Sequence, residues 1–191
     1  MKNYEAIVIG ASAGGTKALN TILTELPKAF PLPIIIVIHR YYDEGSLLIS
    51  QFRRDCQMEV RETADKEKIT NGCIYFAPAD YHVLIEENKT FSLSHDPEVN
   101  FARPSIDVLF DSAAYVYGNS LIGIICTGAN SDGSNGLMHI KERGGLSIVQ
   151  DPETAESKAM PKSALDTSEP NYIFDLMGIK SFLVNLIAPK G

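Results

Sequence analysis

Glu5-Ala6-Ile7-Val8-Ile9-Gly10-Ala11-Ser12-Ala13-Gly14-Gly15 is the stretch on which the fold turns. An apolar run, 5–9, stops at Gly10, and two further glycines open a segment, 14–26, where Ala18, Leu19, Ile22, Leu23 and Leu26 recur at helical spacing. Strand, tight turn and helix follow in that order. Residues 34–38, Ile-Ile-Ile-Val-Ile, come after Pro31 and Pro33 and form a continuous β-branched run. Such a run suits a strand covered on both faces of a parallel sheet, and parallel neighbours need crossover helices. The alternation continues outward from there. A helix is expected at 44–54, strands at 58–61 and 73–77, and a hairpin of 83–86 with 90–94 around Glu87-Asn88-Lys89. Pro104 suits the first position of a helix at 104–117, whose Ile106, Leu109, Phe110, Ala113, Ala114 and Tyr117 share a face. Strand 121–126, helix 133–143, strand 146–150, helix 157–165 and helix 176–187 complete the pattern. The expected fold class is α/β: a doubly wound, mainly parallel sheet flanked by helices, with a small β-hairpin near 82–94 and residues 1–191 as one domain.

A chain of 191 residues buries roughly two thirds to three quarters of its unfolded surface without a covalent staple. Cys56, Cys73 and Cys126 are odd in number and widely spaced, and read as free thiols of a reducing, cytoplasmic compartment. Neither a metal site nor a cofactor is expected from them. Glu5 and the stop at Gly10 disqualify the N-terminus as a secretory core, and apolar runs such as 34–38 fall far below the ~20 residues of a membrane span, so no membrane insertion is expected. The net charge of −7 argues against nucleic acid as a partner, because phosphate neutralisation supplies most duplex affinity. Arg40, Arg53, Arg54 and Arg103 are the candidates for a local basic face.

Three loops carry the chemistry. Gly10-Ala11-Ser12-Ala13-Gly14 satisfies the G-x-S-x-G pattern of a nucleophile elbow, in which a strained serine backbone demands glycines on either side. A glycine-rich strand-to-helix turn also cradles pyrophosphate, and the glycines alone fit both readings. After the second strand, however, stands His39-Arg40 rather than a ribose-binding acid, and no tyrosine begins a Tyr-x-x-x-Lys pair; Arg40 keeps an NADP reading open. His39 follows 34–38 directly, which places it at the carboxyl end of the next strand, as the general base a serine hydroxyl needs. His82 precedes a hairpin strand, His95 lies in a polar run and His139 is inside a helix, so none competes. Asp132, in Cys126-Thr127-Gly128-Ala129-Asn130-Ser131-Asp132-Gly133, is expected to cap helix 133–143 and to orient the histidine as well.

These loops, IGASAGG (9–15), VIHR (37–40) and TGANSDG (127–133), together with APADYHVLI (77–85), ARPSIDVLFDSAA (102–114) and QDPETAESKAMPKSAL (150–165), resemble the catalytic domain of the bacterial chemotaxis protein-glutamate methylesterases. The similarity extends over essentially the whole chain. It implies Ser12 as nucleophile, His39 as general base and Asp132 as the carboxylate that holds the imidazole, with the backbone N–H groups around Ala13 and Ala129 as oxyanion donors. It implies hydrolysis of glutamyl methyl esters on the cytoplasmic domain of a methylated chemoreceptor or another methylated signalling protein, with glutamine deamidation beside it. Many members have Thr at the position of Ala13 and read GMG where Gly128-Ala129-Asn130 stands, and neither departure removes a triad group. Many also carry an N-terminal receiver domain; the catalytic strand here begins at the chain start, so constitutive activity without response to a phosphodonor is the expectation. Two other readings stay open: an esterase or amidase with a different substrate, and a nucleotide-binding module or non-catalytic signalling scaffold.

Overall fold

The computed structural model describes residues 3–39 and 45–186, with the backbone alone at 45 and 46. Strand β1 (Ala6–Ala11) is buried along its whole length, as a strand apolar on both faces must be. Helix α1 (Gly15–Leu23) buries Ala18, Leu19, Ile22 and Leu23. Strand β2 (Ile34–Ile38) pairs with β1 in parallel, Ile7 opposite Ile34 and Ala11 opposite Ile38. Helix α2 (Gly45–Asp55), strands β3 (Glu59–Glu62) and β4 (Cys73–Phe76), and the antiparallel hairpin β5 (His82–Ile85) with β6 (Phe91–Ser94) come next. Helix α3 (Ile106–Tyr117), β7 (Leu121–Ile125), α4 (Ser134–Glu142), β8 (Leu146–Gln150), α5 (Ala159–Ser168), β9 (Tyr172–Phe174) and α6 (Leu176–Asn185) complete the described chain.

The main sheet has the order β3-β4-β2-β1-β7-β8-β9, and every pairing in it is parallel. From β1 the chain builds outward through β2 and β4 on one side and through β7 and β8 on the other. The order therefore reverses between β1 and β7, the place where open α/β sheets leave a crevice at their carboxyl ends. Alternation along β1 divides the interior in two. Ile7 and Ile9 join α1, α2 and α6 through Leu19, Phe52 and Ile179, while Ala6 and Val8 join α3, α4 and α5 through Phe110, Ile140 and Met160.

The expected fold class holds, and two details depart from the sequence reading. Helix α3 begins at Ile106, with Ser105 rather than a residue before Pro104 in the capping position. Strand β9 was not expected: three residues after Pro170 are too few to show a period of two, and its pairing with β8 is what makes it a strand. Among the described residues no helix is long and apolar enough to cross a membrane.

Candidate active site

The ladders of β1 run past the strand ends and fix where the candidate residues emerge. His39 N–H donates to Ala11 O at 3.1 Å, one residue beyond β2, while Cys126 N–H donates to Gly10 O at 2.9 Å and Ser12 N–H to Thr127 O at 2.9 Å. Ser12, His39 and the 126–133 loop thus leave three adjacent strands at one edge. Ser12 and His39 line a common cleft of ≈ 350 Å³, shared with Thr16, Lys17, Leu48 and Glu156. The strain expected at Ser12 is absent, since the left-handed residue of the turn is Gly14, at φ +78°. Gly10 is required for space: a Cβ there would lie 2.4 Å from Ile106 Cγ2. The elbow is glycine-made, and its serine has ordinary backbone.

His39 is held at both ring nitrogens. Nε2 lies 2.8 Å from Asp132 Oδ2, with the histidine side chain 14% exposed and the aspartate fully buried. Nδ1 lies 3.3 Å from Asn130 Nδ2. The Asn130 amide is oriented by backbone, because its Oδ1 accepts Asp132 N–H at 3.2 Å. An amide nitrogen only donates, so Nδ1 is the accepting nitrogen and Nε2 carries the hydrogen given to Asp132. Among the described residues no hydrogen bond joins the Ser12 hydroxyl to the ring; Asn130 takes the nitrogen that the serine would use.

Asp132 does not cap the helix that follows it. The N-cap of α4 is Gly133, at φ +93°, without a side-chain cap. The carboxylate instead reaches the start of α3, accepting Ile106 N–H at 2.6 Å on Oδ2 and Asp107 N–H at 3.2 Å on Oδ1. Oδ1 also accepts Ser105 Oγ at 2.8 Å and Asn100 Nδ2 at 2.9 Å. Gly133, in the left-handed region, bends the chain so that the Asp132 side chain turns away from its own helix and towards a neighbour's unpaired N–H groups. Burial pushes the Asp132 carboxyl up, but the bonds from His39, Asn100, Ile106 N–H and Ser105 prevail and hold it below the ordinary aspartate value. Asp107, buried beside it and bridged to it by Asn100 at 2.8 Å, moves the other way, raised by burial and by the Asp132 charge against the Gly136 N–H and Asn100 bonds that lower it.

Ala13 and Ala129 are both exposed at this edge, and among the described residues neither N–H has a backbone acceptor outside regular helices and strands. Thr127, which the sequence reading passed over, positions the first of them: its Oγ1 donates to Ala13 O at 2.8 Å while its carbonyl accepts Ser12 N–H. The basic face fares differently. Arg40 lies outside the described residues. Arg53 donates to Val60 O, Arg54 pairs with Asp55, and Arg103 spans Asp80 and the carbonyls of His95 and Asp96. Each has its own local partner. The other histidines have partners of their own and do not line the cleft: His82 accepts Ser105 N–H on Nδ1 and donates to Pro97 O, His95 Nδ1 lies 3.0 Å from Asp80 O, and His139 pairs with Asp111. Cys126 is buried one residue beyond β7, where burial pushes its thiol up to about 12 and keeps it protonated.

Comparison with known proteins agrees with the architecture. The profile of the CheB methylesterase family matches residues 7–183. A relative from Leptospira interrogans is 50% identical over 184 residues, 96% of this chain and 95% of its own. The protein-glutamate methylesterase/protein-glutamine glutaminase of Clostridium acetobutylicum is 31% identical over 97% of this chain, which spans 54% of that longer protein. The catalytic domain of Thermotoga maritima CheB methylesterase superposes with a TM-score of 0.92 at 32% identity, covering 97% of this chain and all of that one. With its sheet order, its three converging loops and this match over nearly its full length, the chain belongs to the CheB methylesterase family.

Proposed function

We propose that the chain hydrolyses glutamyl methyl esters on a methylated signalling protein, in the first place the cytoplasmic domain of a chemoreceptor, and that glutamine deamidation is a second reaction of the same centre. The observation that carries the reading is the buried Asp132–His39 pair facing the cleft that Ser12 lines. Ser12 Oγ attacks the ester carbonyl as its proton passes to His39 Nδ1, the nitrogen that Asn130 releases for the purpose. Asp132 holds the ring and stabilises the imidazolium through Nε2. Ala13 and Ala129 N–H groups receive the negative oxygen of the tetrahedral intermediate, which collapses as methanol leaves with the proton from Nδ1. Water, deprotonated by the same nitrogen, then attacks the acyl-serine, and the second tetrahedral intermediate collapses as Ser12 Oγ leaves with the proton from Nδ1, releasing glutamate and restoring the free serine. With glutamine as substrate the leaving group is ammonia.

A phosphate-binding reading is disfavoured by charge. Glu156 packs against Gly14, its Oε2 3.1 Å from where a Cβ would be, so a carboxylate occupies the approach to the α1 N-terminus that a pyrophosphate would need. The test is methanol release from a methylated receptor preparation of the source organism. Release by the wild type and its loss in Ser12→Ala are expected; release undiminished in Ser12→Ala would refute the assignment, and a wild type that labels with a fluorophosphonate yet releases no methanol would point to a different substrate.

A further inference from the structure

The segment between β6 and α3 is held rigidly and yet presents an aromatic ring wholly to water. Val99 and Ala102 exchange N–H···O bonds of 3.2 and 3.0 Å, closing a two-residue turn on Asn100 and Phe101, at φ +54° and +60°. A turn with positive φ at both central residues favours Asn-Gly. Asn100 fits the first position, and its side chain points inward to bridge Asp132 and Asp107. Phe101 occupies the position where glycine is preferred, and it is 99% exposed. A bulky side chain in the left-handed region is strained, and this one gains no burial in return.

Nothing in the rest of the segment leaves the turn free to relax. Arg103 anchors it through two bonds to Asp80 Oδ1, at 3.0 and 2.6 Å, and others to the carbonyls of His95 and Asp96. His82 anchors it again through Pro97 O and Ser105 N–H. Exposed Val99 and Tyr81 belong to the same two loops, the Tyr81 ring lying 5.4 Å from that of His95. Phe101 is also tied to the chemistry, for the residue before it shares the Asp132 carboxylate with His39. Strain and exposure that folding does not use are explained when the ring is used from outside.

We propose that Phe101 is a substrate-positioning residue: its ring packs on an apolar side chain of the substrate protein beside the esterified glutamate, and so holds the ester in the cleft. The inference rests on the esterase reading of that cleft. Its chemistry is that of an interface anchor, where an aromatic ring gains most by leaving water in a small desolvated contact. A small ester or probe does not reach the ring and has no use for it.

The experiment compares wild type, Phe101→Gly and Phe101→Leu in three measurements: steady-state hydrolysis of the methylated receptor, the rate of fluorophosphonate labelling, and the thermal midpoint. For Phe101→Gly, kcat/KM on the receptor is expected to fall at least about tenfold, carried by KM, while labelling stays within twofold and the midpoint rises because glycine fits the turn. Phe101→Leu is expected to restore most of the receptor activity. Unchanged receptor kinetics in Phe101→Gly, a parallel fall in labelling, or a lower midpoint would each overturn the proposal, the last two by showing a structural role. A wild type that neither labels nor turns over receptor would instead sink the esterase reading on which it stands.

Discussion

Asn130 grips the imidazole of His39 at the nitrogen that Asp132 leaves open. Its amide is steered by Asp132 N–H, so a neutral side chain two residues from the carboxylate fixes which ring nitrogen is basic. No sequence pattern announces this, because the partners are 91 residues apart and an asparagine in a glycine-rich loop reads as turn chemistry. The bond has a kinetic consequence. Ser12 must displace it to reach Nδ1, and a neutral hydrogen bond of about 0.5–1.5 kcal/mol corresponds to a two- to tenfold factor. Fluorophosphonate labelling of Ser12 is therefore expected to be severalfold faster in Asn130→Ala than in the wild type; slower labelling would mean that the amide assists the histidine instead of competing for it. Ser12 and His39 were legible from their strand ends. Asn130, Asn100 and Thr127 were not, since each acts through a contact distant in sequence.

At the scale of elements, one carboxylate joins three of them. Asp132 belongs to the turn before α4, orients the histidine beyond β2 and caps α3. From the sequence Asp132 is expected to orient the histidine and to cap α4; the contact with the histidine is present but the helix capped is α3, because capping signals are read along the chain, whereas the unpaired N–H groups of a helix take any acceptor that packs there. Asp132→Asn is consequently not silent in the fold. An amide would turn its NH2 either on His39 Nε2 and Ile106 N–H or on Asn100, Ser105 and Asp107 N–H, leaving donors facing donors at an expected cost of about 1–3 kcal/mol at neutral pH. The folded carboxyl titrates below its unfolded value of about 3.9, so its contribution is present above that pH and is lost as pH falls through the lower folded value. Thermal melts are expected to show the largest gap between wild type and Asp132→Asn near neutrality and a narrowing gap in acid, with turnover down by as much as ~10⁴. A gap that does not change with pH would mean that the charge of Asp132 is not what the site stabilises.

Across the whole molecule, the parallel sheet follows from the apolar runs of β1, β2 and β7, each of which must be covered on both faces, and the apolar stripes of α1 and α3 supply that cover. These features are local, and they were legible. The reversal of strand order between β1 and β7 is a property of the assembled sheet, and it is what gathers three loops from distant parts of the chain into one crevice. The edge strand β9 escaped because an edge this short carries no pattern of its own. What the assembled molecule is for depends on one claim, that His39 activates Ser12 although the resting structure leaves the two unjoined. Mass-spectrometric mapping of the fluorophosphonate adduct, with its rate of formation in wild type and in His39→Gln, measures that claim directly. A single adduct on Ser12, absent after heat denaturation and formed ~10²–10⁴-fold more slowly in His39→Gln, is the expected result; an adduct on another residue, or equal rates in the two proteins, would contradict it.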